Sequence, residues 1–169
     1  GIVGYFDRNP RFPFCRQTAW TQANYENFNK SIPLIKEISD LFKEVAPDLW
    51  QNQNDEAQRC HKDFVINDTV YSTVTVNRNF RTAIHLDAGD YQGGMGNICA
   101  LQSGEYFGGE TCLPRFGVGF DMRTTDVCFF NVHEFHGNLE ITAKKPYERL
   151  SLVCYLREKM RDCLSAEEE

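Results

Sequence analysis

The spacing of apolar residues divides the chain into a helical N-terminal part and a strand-rich remainder. Between residues 31 and 47, apolar side chains recur every three or four positions, which predicts an amphipathic helix. Ser31 is a suitable N-cap, and Pro33 falls in the first turn, where its missing N–H costs no hydrogen bond. A second, more polar helix is predicted over residues 47–59, with Leu49 and Trp50 turned inward.

From residue 63 onward, short apolar runs alternate with Gly, Asn and Asp, a pattern typical of an all-β sandwich or barrel. Residues 73–76 alternate Thr with Val, and we expect this strand to lead on to His85. Two more strands are predicted at residues 126–132 and 149–155. The fold class is therefore mainly β with N-terminal helices (α+β), in which the helices cover the outer face of a large sheet.

Composition limits the alternatives. A chain of 169 residues with 41% hydrophobic and 25% charged residues suits one soluble globular domain. No run of 18 apolar residues is present, so we expect no contact with membranes, and nothing indicates an obligate protein partner. Seven cysteines without a C-x-x-C pair favour a reducing, intracellular compartment over a disulfide framework. That compartment is the nucleus, or the cytoplasm of a prokaryotic or virus-infected cell.

The strongest chemical pattern is His85-Leu86-Asp87. In extended backbone, residues i and i+2 face the same side, so His85 and Asp87 can both face one metal ion. Two imidazoles and one carboxylate form the facial triad of non-haem Fe(II) sites. The third ligand must come from a strand paired later in the chain, and both His133 and His136 follow the strand predicted at residues 126–132.

These motifs resemble the Fe(II)/2-oxoglutarate oxygenases, and more narrowly the ten-eleven translocation/J-binding protein (TET/JBP) group. The resemblance spans about residues 73–157, with a weaker likeness at residues 4–8 and 15–19. Its parts are His85-x-Asp87, the Gly93/Gly94/Gly96 turn, the Y-F-G-G-E-T-C-L-P run at 106–114, His136-Gly137 and R-x-S-L-V-x-Y from Arg149. Members of this group oxidise the methyl of 5-methylcytosine or thymine in DNA. The implied core is a double-stranded β-helix, a jelly-roll of the cupin type.

The resemblance implies a cofactor site. Fe(II) would be held by His85, Asp87 and His136, because the family's third ligand precedes a glycine, and His133 would then lie at the entrance or be a hydrogen-bonded core residue. The co-substrate 2-oxoglutarate, used with O₂, needs a buried cation for its far carboxylate, and Arg149 is the candidate, aided by Ser151. Arg81 and Asn79 are expected on the strand leading to the metal and are further candidates for holding it.

The resemblance also implies a DNA partner. Asp90 takes the position of a polar residue that meets the Watson–Crick edge of the target base, although Asp is equally at home in a turn. Tyr155 corresponds to an aromatic that stacks on the flipped base, and it could instead belong to the core. Arg157 replaces a histidine that contacts the base in the animal proteins. Arg16 belongs to an Arg- and Phe-rich segment, residues 7–16, suited to phosphates and unstacked bases.

The net charge of −6 is unusual for a DNA-binding protein, so a local basic patch has to provide the affinity.

The composition and the resemblance together lead us to expect a single dioxygenase domain over residues 1–169. Within it, residues 1–62 form an extended segment and supporting helices, 63–157 form the core, and 158–169 form an acidic tail. The expected reaction converts 5-methylcytosine in DNA to 5-hydroxymethylcytosine. A prolyl-type protein hydroxylase and a non-catalytic β-barrel binding module are the alternatives.

Overall fold

The computed structural model describes residues 1–169. Helices are α1 (Ala19–Ala23), α2 (Tyr25–Val45) and α3 (Pro47–Arg59), with short 3-10 helices at Lys62–Phe64, Pro114–Phe116 and Glu158–Asp162. Strands are β1 (Ile2–Phe6), β2 (Arg16–Gln17), β3 (Thr73–Arg78), β4 (Gly96–Ser103), β5 (Phe107–Gly108), β6 (Thr111–Leu113), β7 (Val118–Phe120), β8 (Val127–Phe130), β9 (Gly137–Asn138), β10 (Ile141–Thr142) and β11 (Glu148–Tyr155). None of the helices is both long and apolar enough to cross a bilayer.

The largest sheet has six strands in the order β2-β1-β3-β11-β4-β8, all paired antiparallel. β11 lies at its centre, and Leu152 pairs with Val76 of β3 on one side and with Cys99 of β4 on the other. Two smaller sheets, β7-β6-β9 and β10-β5, complete the strand-rich part. The prediction of a mainly β protein with N-terminal helices is confirmed.

Helix α2 covers one face of the six-stranded sheet. Phe28, Ile35, Ile38 and Phe42 are at most 4% exposed and belong to one core with the sheet residues Val3, Val74, Cys99 and Cys154. Phe42 stacks on Phe129 of β8 with ring centroids 5.3 Å apart. Burial of such side chains contributes about 1.5–3 kcal/mol each. As predicted, the helices form the outer layer over the sheet.

The predicted start of the first long helix is wrong. Helix α2 begins at Tyr25, not at Ser31, and Pro33 lies inside it. The Ser31 hydroxyl donates to the backbone oxygen of Phe28 at 2.7 Å and caps nothing. Phe28, 1% exposed, extends the apolar stripe by two turns, and its burial helps to offset the hydrogen bond that Pro33 lacks. Helix α3 matches its prediction, and Leu49 and Trp50 pack half-buried against the core.

The expected strand from residue 73 to His85 is also interrupted. β3 ends at Arg78, and Asn79 adopts a left-handed conformation with φ 49°, which turns the backbone out of the sheet. Residues 79–84 form no strand, and His85 pairs with His136 only through an isolated bridge.

The cysteine pattern favours a reducing compartment over a disulfide framework, but the structure contains one disulfide. Cys15 and Cys163 form a disulfide with Cα atoms 5.8 Å apart, and the other five cysteines are free. An odd count does not exclude a single pair, and residues 148 positions apart give no local pattern. The disulfide joins the N-terminal segment to the end of the chain, where the Glu169 carboxylate accepts a hydrogen bond from the Cys15 N–H at 2.7 Å.

Candidate metal centre and its cavity

His85, Asp87 and His136 lie at one point beside the six-stranded sheet. Their ligand atoms are all within 4.8 Å of one another. His85 Nε2 is 3.3 Å from Asp87 Oδ1, and His136 Nε2 is 3.5 Å from Asp87 Oδ2. Asp87 therefore directs one oxygen to each imidazole, and the three donors face a common centre.

Backbone pairing creates this arrangement. The N–H of His85 donates to the oxygen of His136 at 2.9 Å, and the reverse bond measures 3.0 Å. The N–H of Asp87 donates to the oxygen of Val132 at 3.1 Å and continues the pairing. Gly137 is needed beside it, because an added Cβ would lie 2.9 Å from the backbone oxygen of Thr82.

The two imidazoles are oriented for metal binding. Nδ1 of His85 is 2.9 Å from the oxygen of Ala83, and Nδ1 of His136 is 2.9 Å from the oxygen of Glu134. A carbonyl accepts the Nδ1 proton, which leaves the Nε2 lone pair free for a metal. His133 differs, because its Nε2 is buried without a partner and its ring lies outside the cluster.

Asp87 and His136 shift each other's pKa in opposite directions. Burial acts to raise the pKa of Asp87, but the hydrogen bond and the charge of His136 lower it on balance. For His136, burial acts to lower the pKa, and the bonds to Asp87 and to the Glu134 carbonyl raise it on balance. A metal ion would bind the neutral imidazole through Nε2 and would displace any proton that this nitrogen carries beside Asp87.

A cavity of about 240 Å³ opens beside the three residues. Of the side chains predicted for co-substrate and substrate, Arg149, Ser151, Asp90, Tyr155 and Arg157 line it. Arg149 is 3% exposed; its Nη2 donates to the oxygen of Gly109 at 3.3 Å, and its Nε has no partner. A buried cation with an open donor is suited to an anionic ligand.

Several cavity residues were not predicted from the sequence, among them Thr111. It is 2% exposed, and its hydroxyl has no hydrogen-bond partner. Its place in the G-G-E-T run could have indicated it, because that run was already part of the resemblance.

Two predicted co-substrate residues lie elsewhere. Asn79 does not line the cavity; its Oδ1 accepts from the backbone N–H of Arg149 at 2.7 Å and so fixes the start of β11. Arg81 is also outside the cavity wall, with a side chain 66% exposed and 4.0 Å from Glu140. Asn79 and Arg81 lie outside the cavity because β3 ends at Arg78, after which the backbone leaves the sheet.

The predicted substrate residues separate into two groups. Asp90, 6% exposed, and Tyr155 face the cavity, and burial raises the pKa of Asp90 to about 7. Tyr155 also shares a hydrogen bond of 3.1 Å with the Thr75 hydroxyl. Arg16 does not reach the cavity, because its guanidinium packs over the ring of Phe12, 4.1 Å from the centroid.

Two histidines and one aspartate around an open face define the facial-triad class of metal site, which non-haem Fe(II) oxygenases use. The Tet_JBP family model, the oxygenase domain of the 2OGFeDO superfamily, matches residues 1–158. The chain belongs to this family.

Known relatives agree with this assignment. The bifunctional helicase and thymine dioxygenase JBP2 of Leishmania infantum is 36% identical over 160 residues, covering 93% of this chain and 14% of the relative. The thymine dioxygenase JBP1 of Trypanosoma brucei brucei is 38% identical over 162 residues, covering 93% of this chain and 19% of the relative. The chain thus spans less than a fifth of the length of these relatives.

A solved structure shares the fold. NgTET1, in complex with 5mC DNA, superposes with a TM-score of 0.75 at 15% identity. The match covers 95% of this chain and 61% of NgTET1.

Proposed function

We propose that this domain is an Fe(II)- and 2-oxoglutarate-dependent dioxygenase that hydroxylates the 5-methyl group of a pyrimidine base in DNA. The observation that carries the proposal is the three-residue cluster of His85, Asp87 and His136 in the same cavity as the buried Arg149. Fe(II), 2-oxoglutarate and O₂ together would supply the oxidation of a C–H bond, with succinate and CO₂ as co-products.

The fold assignment belongs to the same proposal. The six-stranded sheet would be the major sheet of a double-stranded β-helix, and the β7-β6-β9 and β10-β5 sheets would form the facing minor half. His85, Asp87 and His136 would hold Fe(II) between the two halves. Such a core explains why β6, β9 and β11 all contribute residues to one cavity.

Arg149 would hold the far carboxylate of 2-oxoglutarate through its guanidinium. Ser151, two residues along β11 and on the same face, would add a hydroxyl donor. The unpartnered Arg149 Nε and Thr111 Oγ1 provide further hydrogen-bonding capacity on the same wall. The chemical fit of this wall to a dicarboxylate supports the co-substrate.

Asp90, Arg157 and Tyr155 would recognise the target base. A base inside a duplex must leave the stack before its methyl can enter a cavity of this kind. Arg157 offers hydrogen-bond donors, Asp90 offers a carboxyl, and Tyr155 offers a ring on which the base can stack.

The target pyrimidine has two candidates. The sequence predicts 5-methylcytosine, because a carboxylate at Asp90 can accept from the exocyclic amine of cytosine. Thymine is the second candidate, because the relatives from Leishmania infantum and Trypanosoma brucei brucei are thymine dioxygenases by name. The two bases carry the same methyl group and differ at the edge that Asp90 and Arg157 would meet.

Mass spectrometry of nucleosides tests the proposal. DNA that contains 5-methylcytosine and thymine is incubated with the protein, Fe(II) and 2-oxoglutarate, and both hydroxymethyl products are measured. Formation of either product supports the proposal, and their ratio identifies the base. If DNA returns unmodified while a proline-containing peptide gains oxygen, the prolyl-type hydroxylase replaces it. If neither substrate reacts and no 2-oxoglutarate binds anaerobically to the Fe(II)-loaded protein, the proposed function is replaced by that of a non-catalytic binding module.

A further inference from the structure

We propose that Asp7 is a positioning residue for base recognition: its buried carboxylate holds Arg157 so that one amino group of the guanidinium faces Asp90 and the cavity. The inference rests on the proposed function, because it assumes that Arg157 contacts the target base. Asp7 was not among the site residues predicted from the sequence.

The carboxylate of Asp7 grips one edge of the guanidinium. Arg157 Nε is 3.3 Å from Asp7 Oδ1, and Nη2 is 3.4 Å from Oδ2. This two-point contact fixes the plane of the guanidinium as well as its position. Asp7 itself is only 4% exposed, so its charge has little contact with solvent.

The other edge of the guanidinium is directed to the cavity. Arg157 Nη1 lies 3.9 Å from Asp90 Oδ1, too far for a good hydrogen bond, and both residues line the cavity. A donor and an acceptor therefore lie side by side without closing on each other. Adjacent acceptor and donor groups are what the Watson–Crick edge of a pyrimidine presents: N3 and the amine in cytosine, O4 and N3–H in thymine.

The surrounding backbone leaves Arg157 little other space. A Cβ on Gly89 would lie 2.5 Å from Arg157 Nη1, so the glycine makes room for the guanidinium. The backbone N–H of Arg157 donates to the Ser72 hydroxyl at 3.1 Å, and the N–H of Glu158 donates to the oxygen of Gly89 at 3.1 Å. These two hydrogen bonds fix the main chain at residues 157 and 158. The Arg157 side chain can then pair with either of two carboxylates, Asp7 or Asp90.

The role of Asp7 follows from the competition of these two carboxylates for the Arg157 guanidinium. Without the charge of Asp7, Asp90 is the remaining charged partner of the guanidinium, and a closed Arg157–Asp90 ion pair would withdraw both groups from the base. With Asp7 in place, the pair stays open. Asp7 lies just after β1 and Arg157 just after β11, so the N-terminal strand controls a residue 150 positions away.

The test compares Asp7→Asn, which keeps the shape and removes the charge, with the unaltered protein. We expect the KM for methylated DNA to rise about tenfold, since a hydrogen bond to a charged group is lost, while the KM for 2-oxoglutarate stays unchanged. Asp7→Glu should recover part of the loss. In an Arg157→Ala background, Asp7→Asn should have no additional effect, because the residue it positions is absent.

Glu56→Gln is the matched control. Glu56 is also a buried carboxylate that contacts arginines, with Arg161 Nη1 at 3.4 Å, but it lies on α3 outside the cavity wall. We expect the KM of Glu56→Gln for DNA to equal that of the unaltered protein. A merely structural role of Asp7 would lower the melting temperature and raise both KM values together.

The outcomes separate the two proposals. If the unaltered protein oxidises DNA and Asp7→Asn leaves the KM for DNA unchanged, the positioning role is wrong and the proposed function stands. The positioning role is also wrong if Asp7→Asn is equally harmful with and without Arg157. If the unaltered protein oxidises no base in DNA, the proposed function fails and the base-recognition role of Asp7 fails with it.

Discussion

At the scale of single residues, the candidate metal centre depends on where the backbone directs each ring nitrogen. Carbonyl oxygens of Ala83 and Glu134 face Nδ1 of His85 and His136, and this leaves each Nε2 directed at Asp87. The pattern H-x-D predicted two of these residues from strand alternation alone. The choice between His133 and His136 needed the family resemblance, because both follow the same strand and local spacing does not distinguish them.

The first prediction concerns these histidines. His136→Ala should abolish turnover and lower the iron content of protein loaded anaerobically with Fe(II), because one of three ligands is lost. His133→Ala should keep both iron and measurable activity, since its ring lies outside the cluster. Iron analysis beside a turnover assay checks both variants. An inactive His133→Ala together with an iron-loaded, active His136→Ala would show that the ligand assignment is wrong.

The second prediction concerns Arg149. Arg149→Ala should weaken 2-oxoglutarate binding by at least about a hundredfold, because removing one partner of a buried charge pair costs about 3–5 kcal/mol. Iron content should be unchanged. Arg78→Ala is the control: this arginine on β3 pairs with Glu148 on the surface, with a side chain 70% exposed. Calorimetric titration of the anaerobic Fe(II) protein measures both. Equal affinities in the two variants would mean that another cation holds the co-substrate.

At the scale of elements, prediction from sequence succeeded where periodicity was unbroken. Alternating residues predicted β3 and β11, and the bounds predicted for the second helix agree with those of α3. It failed where one residue overrode the pattern. Pro33 indicated a helix start although it lies inside α2, and the left-handed Asn79 ends a strand that hydrophobicity alone would continue. Such exceptions depend on tertiary contacts, so the local sequence does not contain them.

Gly4 on β1 gives the third prediction. Its φ is +91°, and an added Cβ would lie 2.5 Å from the backbone oxygen of Ser72. Gly4→Ala should therefore destabilise the fold by about 2 kcal/mol or more, through backbone strain and a contact that cannot relax cheaply. Gly119→Ala on β7 is the control, because its Cβ would meet only ordinary contacts from 3.5 Å. Urea unfolding of both variants measures the free energies, and equal values would contradict the prediction.

At the scale of the whole molecule, contacts between the two ends of the described chain are what sequence reasoning could not find. The Cys15–Cys163 disulfide, the Arg8–Glu169 ion pair and the Asp7–Arg157 contact all join residues about 150 positions apart. No spacing rule connects such residues. They bring the N-terminal segment against the segment that follows β11, and so beside the cavity.

The fourth prediction tests the disulfide. Cys163→Ser should lower the free energy of unfolding by about 2–5 kcal/mol, because the bond closes a long loop in the unfolded chain. Dithiothreitol should destabilise the unaltered protein by a similar amount and leave Cys163→Ser unaffected. Urea midpoints with and without the reductant measure this, and Cys128→Ser, a free half-buried thiol, is the control. A reductant effect that persists in Cys163→Ser would contradict the assignment.

The last prediction concerns how this acidic domain would bind DNA under the proposed function. With a net charge of −6, attraction to phosphate has to come from a local patch. We expect the exposed Arg11 of the N-terminal segment, which lies 5.4 Å from the Phe12 ring centroid, to contribute to it. The KM for DNA should rise with salt because phosphate contacts release counterions, while the KM for 2-oxoglutarate should barely change. Arg11→Ala should reduce the slope of log KM against log salt by about 1. Lys36→Ala, an exposed cation on α2 that pairs with Asp40, should leave the slope unchanged. If both variants keep the original slope, phosphate binding lies on another surface. If both lower it equally, general charge and not the N-terminal segment drives association.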